Sequence, residues 1–387
     1  MNELRARDEA SPIAQARIAD LSVFVFRAPV AVPVRTSFGV MRDRPMVLVR
    51  VEDSDGATGW GEVWCNFPSC GAEHRARLMT TVFRDLLVGQ TAEQPANVHA
   101  DLTERTRVLA IQSGEPGPIA QCIAGIDIAL WDLAARRRRL PLWRLLGGSE
   151  PTIGVYASGL NPDAPERLAA RKREEGFTAF KLKIGFGTAR DRANLAALRA
   201  ELGPDTPLMA DANQAWDGAA AAENARMLEP FGLTWLEEPL PADLPWDAWR
   251  GLRAQTAIPL AGGENLTGAA FDDAIAAGVL SVVQPDVAKW GGISGCLPVA
   301  RRIRDAGLRY CPHYLGGGVG LVASAHLLAA VGGDGMLEID ANDNPLRTLL
   351  MEPLGEIHGG RCRISSEAGL GIAPDLAALH EYLVVEA

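Results

Sequence analysis

Two kinds of hydrophobic pattern divide the chain. From residue 18 to about 63 the apolar positions form strand-like runs. ADLSVFVFRAPV is followed by MVLVRVEDSDGATGWGEV, in which a DSDG turn joins two Val-rich segments. VRTSFGVMRDRP, between them, reads as a loop. Residues 73–146 switch to a helical period: Ile119, Ile123, Ile126, Leu130 and Leu133 recur at steps of 4, 3, 4 and 3, on one helical face. Strands followed by helices predict an α+β domain over 18–148.

Beyond Gly148 short apolar runs alternate with amphipathic stretches. The runs are TIGVYAS, AFKLKIG, PLMADAN, TWLEEP, IPLAGGE, SVVQPDV, RYCPHY and MLEID, and segments such as PERLAARKREEGF and GCLPVARRIRDAGL separate them. Eight strand–helix units in about 200 residues match a (β/α)₈ TIM-type barrel, here over 149–352. Buried parallel strands read as apolar runs, as these do. A doubly wound open sheet is the alternative, disfavoured because no G-x-G-x-x-G opens the first unit. Residues 1–17 read as a loose tail. Residues 353–387 read as a turn-rich stretch and a last helical segment that returns to the first domain.

Composition narrows the functional classes. Lys+Arg is 38 against Asp+Glu 48, a net charge of −10, which argues against nucleic-acid binding. Hydrophobic residues at 48% exclude general disorder. The six cysteines are scattered without a CxxC pair and read as buried thiols of a reducing compartment. The N-terminus has no apolar signal-peptide core, and the most apolar later stretch, Val319–Val331, is too short to span a bilayer. A cytoplasmic protein without nucleic-acid or membrane partners is the expectation.

Catalytic groups of a barrel sit at the C-terminal ends of its strands. Strand two ends with Lys181 and Lys183; the next six bring Asp211, Glu237, Glu264, Asp286, His313 and Glu338. The spacings from Lys183 are 28, 26, 27, 22, 27 and 25, one β/α unit each. Asp211, Glu237 and Glu264 on adjacent strands would repel one another. A hard divalent cation resolves this, and oxygen ligands favour Mg²⁺ over Zn²⁺. Pairing of each carboxylate with a lysine or arginine is the alternative. Lys181 and Lys183, two apart on one strand, both face the interior. A cation and a second ammonium nearby would lower a lysine pKa toward that of a general base. Asp286 beside His313 fixes the ring tautomer and leaves the other nitrogen as base or acid. His326, in an apolar helix, reads as a core histidine. The Arg136–Arg139 run reads as a solvated or domain-facing helix end, and LGGGVG at 315–320 as a tight turn.

A metal flanked by a lysine and a His–Asp pair points to removal of the proton α to a substrate carboxylate and a stabilised enediolate. Lys or His bases beside Mg²⁺ are the arrangement found in sites of the enolase superfamily.

These residues resemble the enolase superfamily, and within it the mandelate racemase branch, from about residue 18 to the end. AGIDIALWDLAARRRRLPLWRLLGG is similar to that family's first-domain signature. FKLKIG, DAN, LEEP, AGGEN, QPDVAKWGG, CPHY and MLEID are similar to its successive strand ends. The resemblance implies Mg²⁺ bound by Asp211, Glu237 and Glu264, with Lys183 as the base on one face of the substrate and His313, supported by Asp286, on the other. It implies that Lys181 and Glu338 contact the substrate carboxylate and that Asn213 and Ser158 add polar contacts. Glu238 is expected to face away.

The resemblance further implies that the first domain caps the barrel mouth. TSFGVMRDRPM would be a specificity loop, with Phe38, Val40 and Met41 excluding water and Arg42 and Arg44 reading a second anionic or hydroxyl-rich end. Exposed loop charges are the alternative for the arginines. WCNFPSC at 64–70 would line the same pocket. The implied substrate is a small carboxylate, and the assembly a homo-oligomer, dimer or octamer. Dehydration of a sugar acid is favoured over racemisation or epimerisation. Cycloisomerisation is a third outcome, because Lys289 stands where related lactonising enzymes carry an acid–base lysine; a salt-bridging Lys289 is the plainer reading. A Schiff-base aldolase using Lys183 leaves the acidic strand ends unexplained, and a non-catalytic barrel predicts a missing polar position where none is missing.

Overall fold

The computed structural model describes residues 16–92 and 94–387. The expected tail lies outside the described residues as far as 15; of its last two residues, Ala16 is buried and Arg17 bridges to Thr91.

The N-terminal strands form an antiparallel meander: β1 (Ile18–Arg35), β2 (Val40–Asp53) and β3 (Thr58–Val63). The stretch read as a loop, VRTSFGVMRDRP, is instead mostly strand. β1 and β2 run through it as a long hairpin, with Val34 opposite Met41 and only 36–39 left to turn. β2 is buried on both faces. Met46 and Leu48 belong to the core shared with the barrel, and Val47, Val49 and Val51 belong to a core under the helices, as strand alternation requires. Those helices are Gly71–Leu78, Pro95–Ser113 and Pro116–Arg137. The last contributes the expected face of Ile119, Ile123, Ile126, Leu130 and Leu133. It lies so close to β3 that a Cβ on Gly61 would stand 2.0 Å from the Gly125 carbonyl oxygen. It is also the one described helix long and apolar enough to cross a membrane, and 83% of its apolar window is buried inside the protein.

Eight parallel strands follow: β4 (Thr152–Leu160), β5 (Phe180–Lys183), β6 (Leu208–Asp211), β7 (Leu236–Glu237), β8 (Leu260–Gly262), β9 (Leu280–Val283), β10 (Arg309–Tyr310) and β11 (Met336–Asp340). The ladder runs β10-β9-β8-β7-β6-β5-β4-β11. Between β10 and β11 the barrel is bridged by the Met336 amide on Cys311 Sγ at 3.4 Å rather than by a backbone ladder. It is a nearly closed TIM barrel, with helices returning the chain between strands. Tyr156, Met209, Trp235, Val282 and Cys311 pack inside it as an apolar floor. All six cysteines are free thiols; five are buried, and Cys70 is exposed, contrary to expectation.

After the barrel, β12 (Arg361–Arg363) pairs antiparallel with β4. The expected last helical segment is reduced to a single 3₁₀ turn, His380–Tyr382. The segment ends as β13 (Leu383–Glu386), paired antiparallel with β1. Its Val-Val-Glu sequence suits a strand, and β1 offers it an open edge.

Polar contacts bind the two units. Glu62 of β3 accepts the amides of Gly317 and Gly320, at 2.5 and 2.9 Å, at the start of helix Gly318–Val331. This is the role of the LGGGVG turn. Asp127 takes the amide and hydroxyl of Ser294 at 2.8 and 2.6 Å, and burial lifts its carboxyl to about 7. In the arginine run, Arg136 pairs with Asp132 at 2.8 Å and Arg137 with Asp53 and Asp55.

Candidate active site

The ionisable residues at the strand ends form two connected clusters above the apolar floor. Lys183, Asp211 and Glu237 are successive register partners across β5, β6 and β7, so their side chains enter from one side. Lys181 is fully buried, 2.6 Å from both Glu237 oxygens and 2.8 Å from Glu338 Oε1. Lys183 Nζ lies 2.6 Å from Asp211 Oδ2. Glu237 also accepts from Gln284 Nε2 at 2.7 Å and Trp235 Nε1 at 3.2 Å.

Burial alone would lower the pKa of both ammonium groups, but Glu237 and Asp211 respectively outweigh it and hold them above the ordinary lysine value. The expected lowering of a lysine pKa is therefore not what these contacts give. A carboxylate in direct contact favours the charged amine more than desolvation disfavours it. Glu237 is lifted to about 7 by burial, with Lys181 opposing.

The second cluster centres on His313. Its Nδ1 lies 2.7 Å from Asp286 Oδ2, and its Nε2 lies 3.0 Å from Glu264 Oε2. Both ring nitrogens face carboxylate oxygens, so in this arrangement the ring donates twice and is an imidazolium. Burial opposes that charge; Glu264, then Glu338 and Asp286, outweigh it and raise the ring to about 9. Asp286 is itself held by the amides of Ala288 and Lys289 at 2.9 and 3.1 Å. Burial would raise Glu264, but His313, Lys289 and Lys183 bring it well below the ordinary carboxylate range. Lys289 Nζ is 3.2 Å from Glu264, 2.7 Å from Asn265 Oδ1 and 4.9 Å from the Trp64 ring centre.

Lys183, Asn213, Glu264, Lys289 and His313 open onto one cavity of about 370 Å³. The N-terminal domain closes it with Phe38, Trp64, Asn66, Phe67 and Gln121.

Residues 20–147 match the mandelate racemase / muconate lactonizing enzyme N-terminal domain, and residues 164–378 match the enolase C-terminal domain-like family. The chain belongs to the mandelate racemase / muconate lactonizing enzyme family of the enolase superfamily. It is an enzyme, an isomerase or hydro-lyase of that superfamily. A D-galactarolactone cycloisomerase of Agrobacterium fabrum is 34% identical over 88% of this chain and 91% of its own. Further relatives are named as sugar-acid dehydratases. A mandelate racemase/muconate lactonizing enzyme structure from Bordetella bronchiseptica RB50 is 59% identical with a TM-score of 0.90, covering 95% of this chain and all (100%) of its own. A racemase of Streptomyces coelicolor A3(2) with bound magnesium is 31% identical with a TM-score of 0.86, over 95% and 100% of the two chains.

Members of this superfamily bind Mg²⁺. In this member the donors suit such an ion in kind. Asp211, Glu237 and Glu264 offer only oxygens, all from neighbouring strand ends, and Asn213 Oδ1 is buried beside Asp211 without a donor. As placed, no group of three His, Cys, Asp or Glu among the described residues is close enough to enclose a metal. Each carboxylate is instead drawn to a cationic side chain: Asp211 to Lys183, Glu237 to Lys181, Glu264 to Lys289 and His313. This is the ion-paired alternative seen from the sequence, with the three acids at neighbouring strand ends.

Several expected site residues are placed differently. Ser158 is buried with its hydroxyl on Glu338 and shows no face to the cavity. Met41 is buried with Val34 and Leu315, behind the cavity wall. Arg42 is exposed on β2, and Arg44 is buried against Asp340 at 2.6 Å; strand pairing carries both away from the cavity. Glu238 does not face outward. It follows the end of β7 with a φ of 39°, which breaks the alternation, and its buried carboxylate accepts from Asn265 at 2.8 and 3.1 Å. Asn213 and Phe38 do line the cavity. His326 is a core residue: Nδ1 accepts the Trp143 amide at 2.9 Å and Nε2 lies 3.3 Å from the Leu370 carbonyl.

Four residues not singled out by the sequence also shape the site. Gln284 and Trp235 hold Glu237, and Gln121 and Gln214 stand on the cavity wall. Gln284 opens the QPD motif two residues before Asp286, so strand alternation would turn it inward. Gln121 is a polar residue inside an apolar helical run, which is the available signal.

Proposed function

We propose that this enzyme removes the proton α to the carboxylate of a sugar acid and then expels the β-hydroxyl as water, a Mg²⁺-dependent sugar-acid dehydration. The observation that carries the reading is the convergence of Lys183 and the Asp286-supported His313 on one cavity with Glu264 between them. Asp211, Glu237 and Glu264 would hold Mg²⁺, which would supply positive charge to stabilise the developing enediolate. With Asp211 given over to the ion, Lys183 loses the partner that keeps it charged, and its neutral Nζ takes the α-proton on one face. His313 Nε2 stands on the other and, as an imidazolium, donates its proton to the departing hydroxyl. Asp286 holds Nδ1–H and so keeps Nε2 aimed into the cavity. Lys181 and Glu338 are buried beside the cavity and paired at 2.8 Å; with Glu237 given over to the ion, they would turn to the oxygens of the enediolate, and Ser158 orients Glu338. Phe38, Phe67 and Trp64 keep water from the intermediate.

The placement of Lys289 in the cavity favours one further reading, cycloisomerisation, in which its ammonium serves the ring oxygen. The two share the first proton transfer and differ in product mass by one water.

The test is exchange of the α-proton for solvent deuterium across a panel of sugar acids, with and without Mg²⁺. Mg²⁺-dependent exchange is expected, lost in Lys183→Ala and kept without release of water in His313→Ala. Full exchange in Lys183→Ala contradicts the assignment of the base, and undiminished release of water in His313→Ala contradicts that of the acid.

A further inference from the structure

The ionisable side chains of the cavity all come from the barrel, which also supplies the neutral Asn213, Gln214 and Asn265. Lys183, Glu264, Lys289 and His313 belong to the barrel and are gathered around the Asp211–Glu264 region. Among the described residues, the wall supplied by the N-terminal domain contains no ionisable side chain: Thr36, Phe38, Trp64, Asn66, Phe67 and Gln121. Arginines of that domain close in sequence to the wall do not line it. Arg35 and Arg42 are exposed, and Arg44 is buried on Asp340. Arg75 directs both Nε and Nη2 to Gln121 Oε1, at 2.9 and 2.8 Å.

That last contact fixes the sense of the Gln121 amide. Its oxygen is taken by a buried guanidinium, so the Nε2 protons are left for the cavity. Two guanidinium N–H groups on the oxygen also polarise the amide and make it a stronger donor. Gln214 is set the same way, its Oε1 accepting the Ala242 amide at 2.8 Å. Asn66 is set in the opposite sense: its Nδ2 donates to the Leu315 carbonyl, and its Oδ1 remains as an acceptor. The wall therefore presents neutral donors and an acceptor among aromatic rings, the pattern that matches hydroxyl groups. Lys289, 4.9 Å from the Trp64 ring centre, is the cavity cation in contact with that wall, and Glu264 and Asn265 already engage it, so a second carboxylate there would be desolvated without a cation of its own.

We infer that the substrate is a monocarboxylate whose far end is uncharged and hydroxylated, an aldonate rather than an aldarate, and that Gln121 Nε2 donates to a hydroxyl oxygen at that end. The inference rests on the sugar-acid reading above and adds which of its two ends carries charge.

The experiment compares stereochemically matched aldonate and aldarate pairs in the Mg²⁺-loaded enzyme, reading α-deuterium exchange and kcat/KM. Aldonates are expected to be preferred by at least roughly tenfold, the value of one well-placed hydrogen bond or more. Equal or better turnover of aldarates overturns the inference and leaves the proton-abstraction reading intact. Exchange with neither class overturns both. In Gln121→Leu the KM for the preferred aldonate and its calorimetric dissociation constant are expected to rise together, roughly tenfold, with kcat changed far less. Gln121→Glu retains the Arg75 contact, protects the fold and removes the donor, so the same rise is expected there. An unchanged KM and dissociation constant in either folded variant overturns the role of Gln121.

Discussion

Asp286 accepts the Nδ1 proton of His313 at 2.7 Å, and its other oxygen is held by the amides of residues 288 and 289. The carboxylate cannot turn without losing those amides, so the imidazole is fixed in both tautomer and direction. Asp286→Asn keeps the shape but presents an amide that can turn its N–H to the ring and favour the wrong tautomer. We expect kcat to fall by roughly 10²–10⁴-fold, with Mg²⁺ affinity unchanged by calorimetry. A kcat within a few-fold of wild type shows that His313 needs no such support.

Glu62 ties the N-terminal sheet to the barrel by accepting two amides at the start of helix Gly318–Val331. Glu62→Ala strands both amides in a buried site and is expected to cost about 2–4 kcal/mol. Glu62→Gln still presents an oxygen and is expected to cost less. Urea unfolding of the two variants checks the order; equal stability of both with wild type contradicts the contact's importance.

His326 gives a pH dependence of stability that is separate from catalysis. Burial depresses the ring from 6.5 to about 4, with the Leu370 carbonyl opposing. The unfolded chain therefore binds the proton more readily than the fold. Stability from this group is complete above about pH 6.5 and is lost as pH falls toward 4, by about 2 kcal/mol at pH 5. His326→Gln keeps an acceptor and a donor but does not titrate. Its stability is expected to fall less than wild type's between pH 7.5 and 5, measured by urea midpoint. Parallel curves contradict the assignment.

The parts of this site that were legible in the sequence are those tied to a period. A strand end recurs about every 26 residues, and Lys183, Asp211, Glu237, Glu264, Asp286, His313 and Glu338 fall on that recurrence, so their meeting at one mouth follows from the fold alone. Pairing and capping are tertiary choices and were not legible. PDLAALHEYLV has a helical composition, yet the free edge of β1 makes its end a strand. TSFGVM looks like a loop, yet strand pairing carries Met41 and Arg44 away from the cavity. Gln121 matters because Arg75, forty-six positions earlier, takes its oxygen, and no local pattern announces that contact. The motifs name an oxygen ligand set; they do not say which lysine holds each carboxylate before an ion arrives.

The proposed chemistry requires Asp211, Glu237 and Glu264 to exchange those ammonium partners for one shared cation. A crystal structure of the protein grown with Mg²⁺, with Mn²⁺ substituted to locate the ion by anomalous scattering, tests it most directly. We expect a single ion with one oxygen of each carboxylate at about 2.0–2.1 Å, and Lys183 Nζ released from Asp211 toward the cavity. Carboxylates still paired with Lys181, Lys183 and Lys289, with no ion between them at saturating metal, would contradict it.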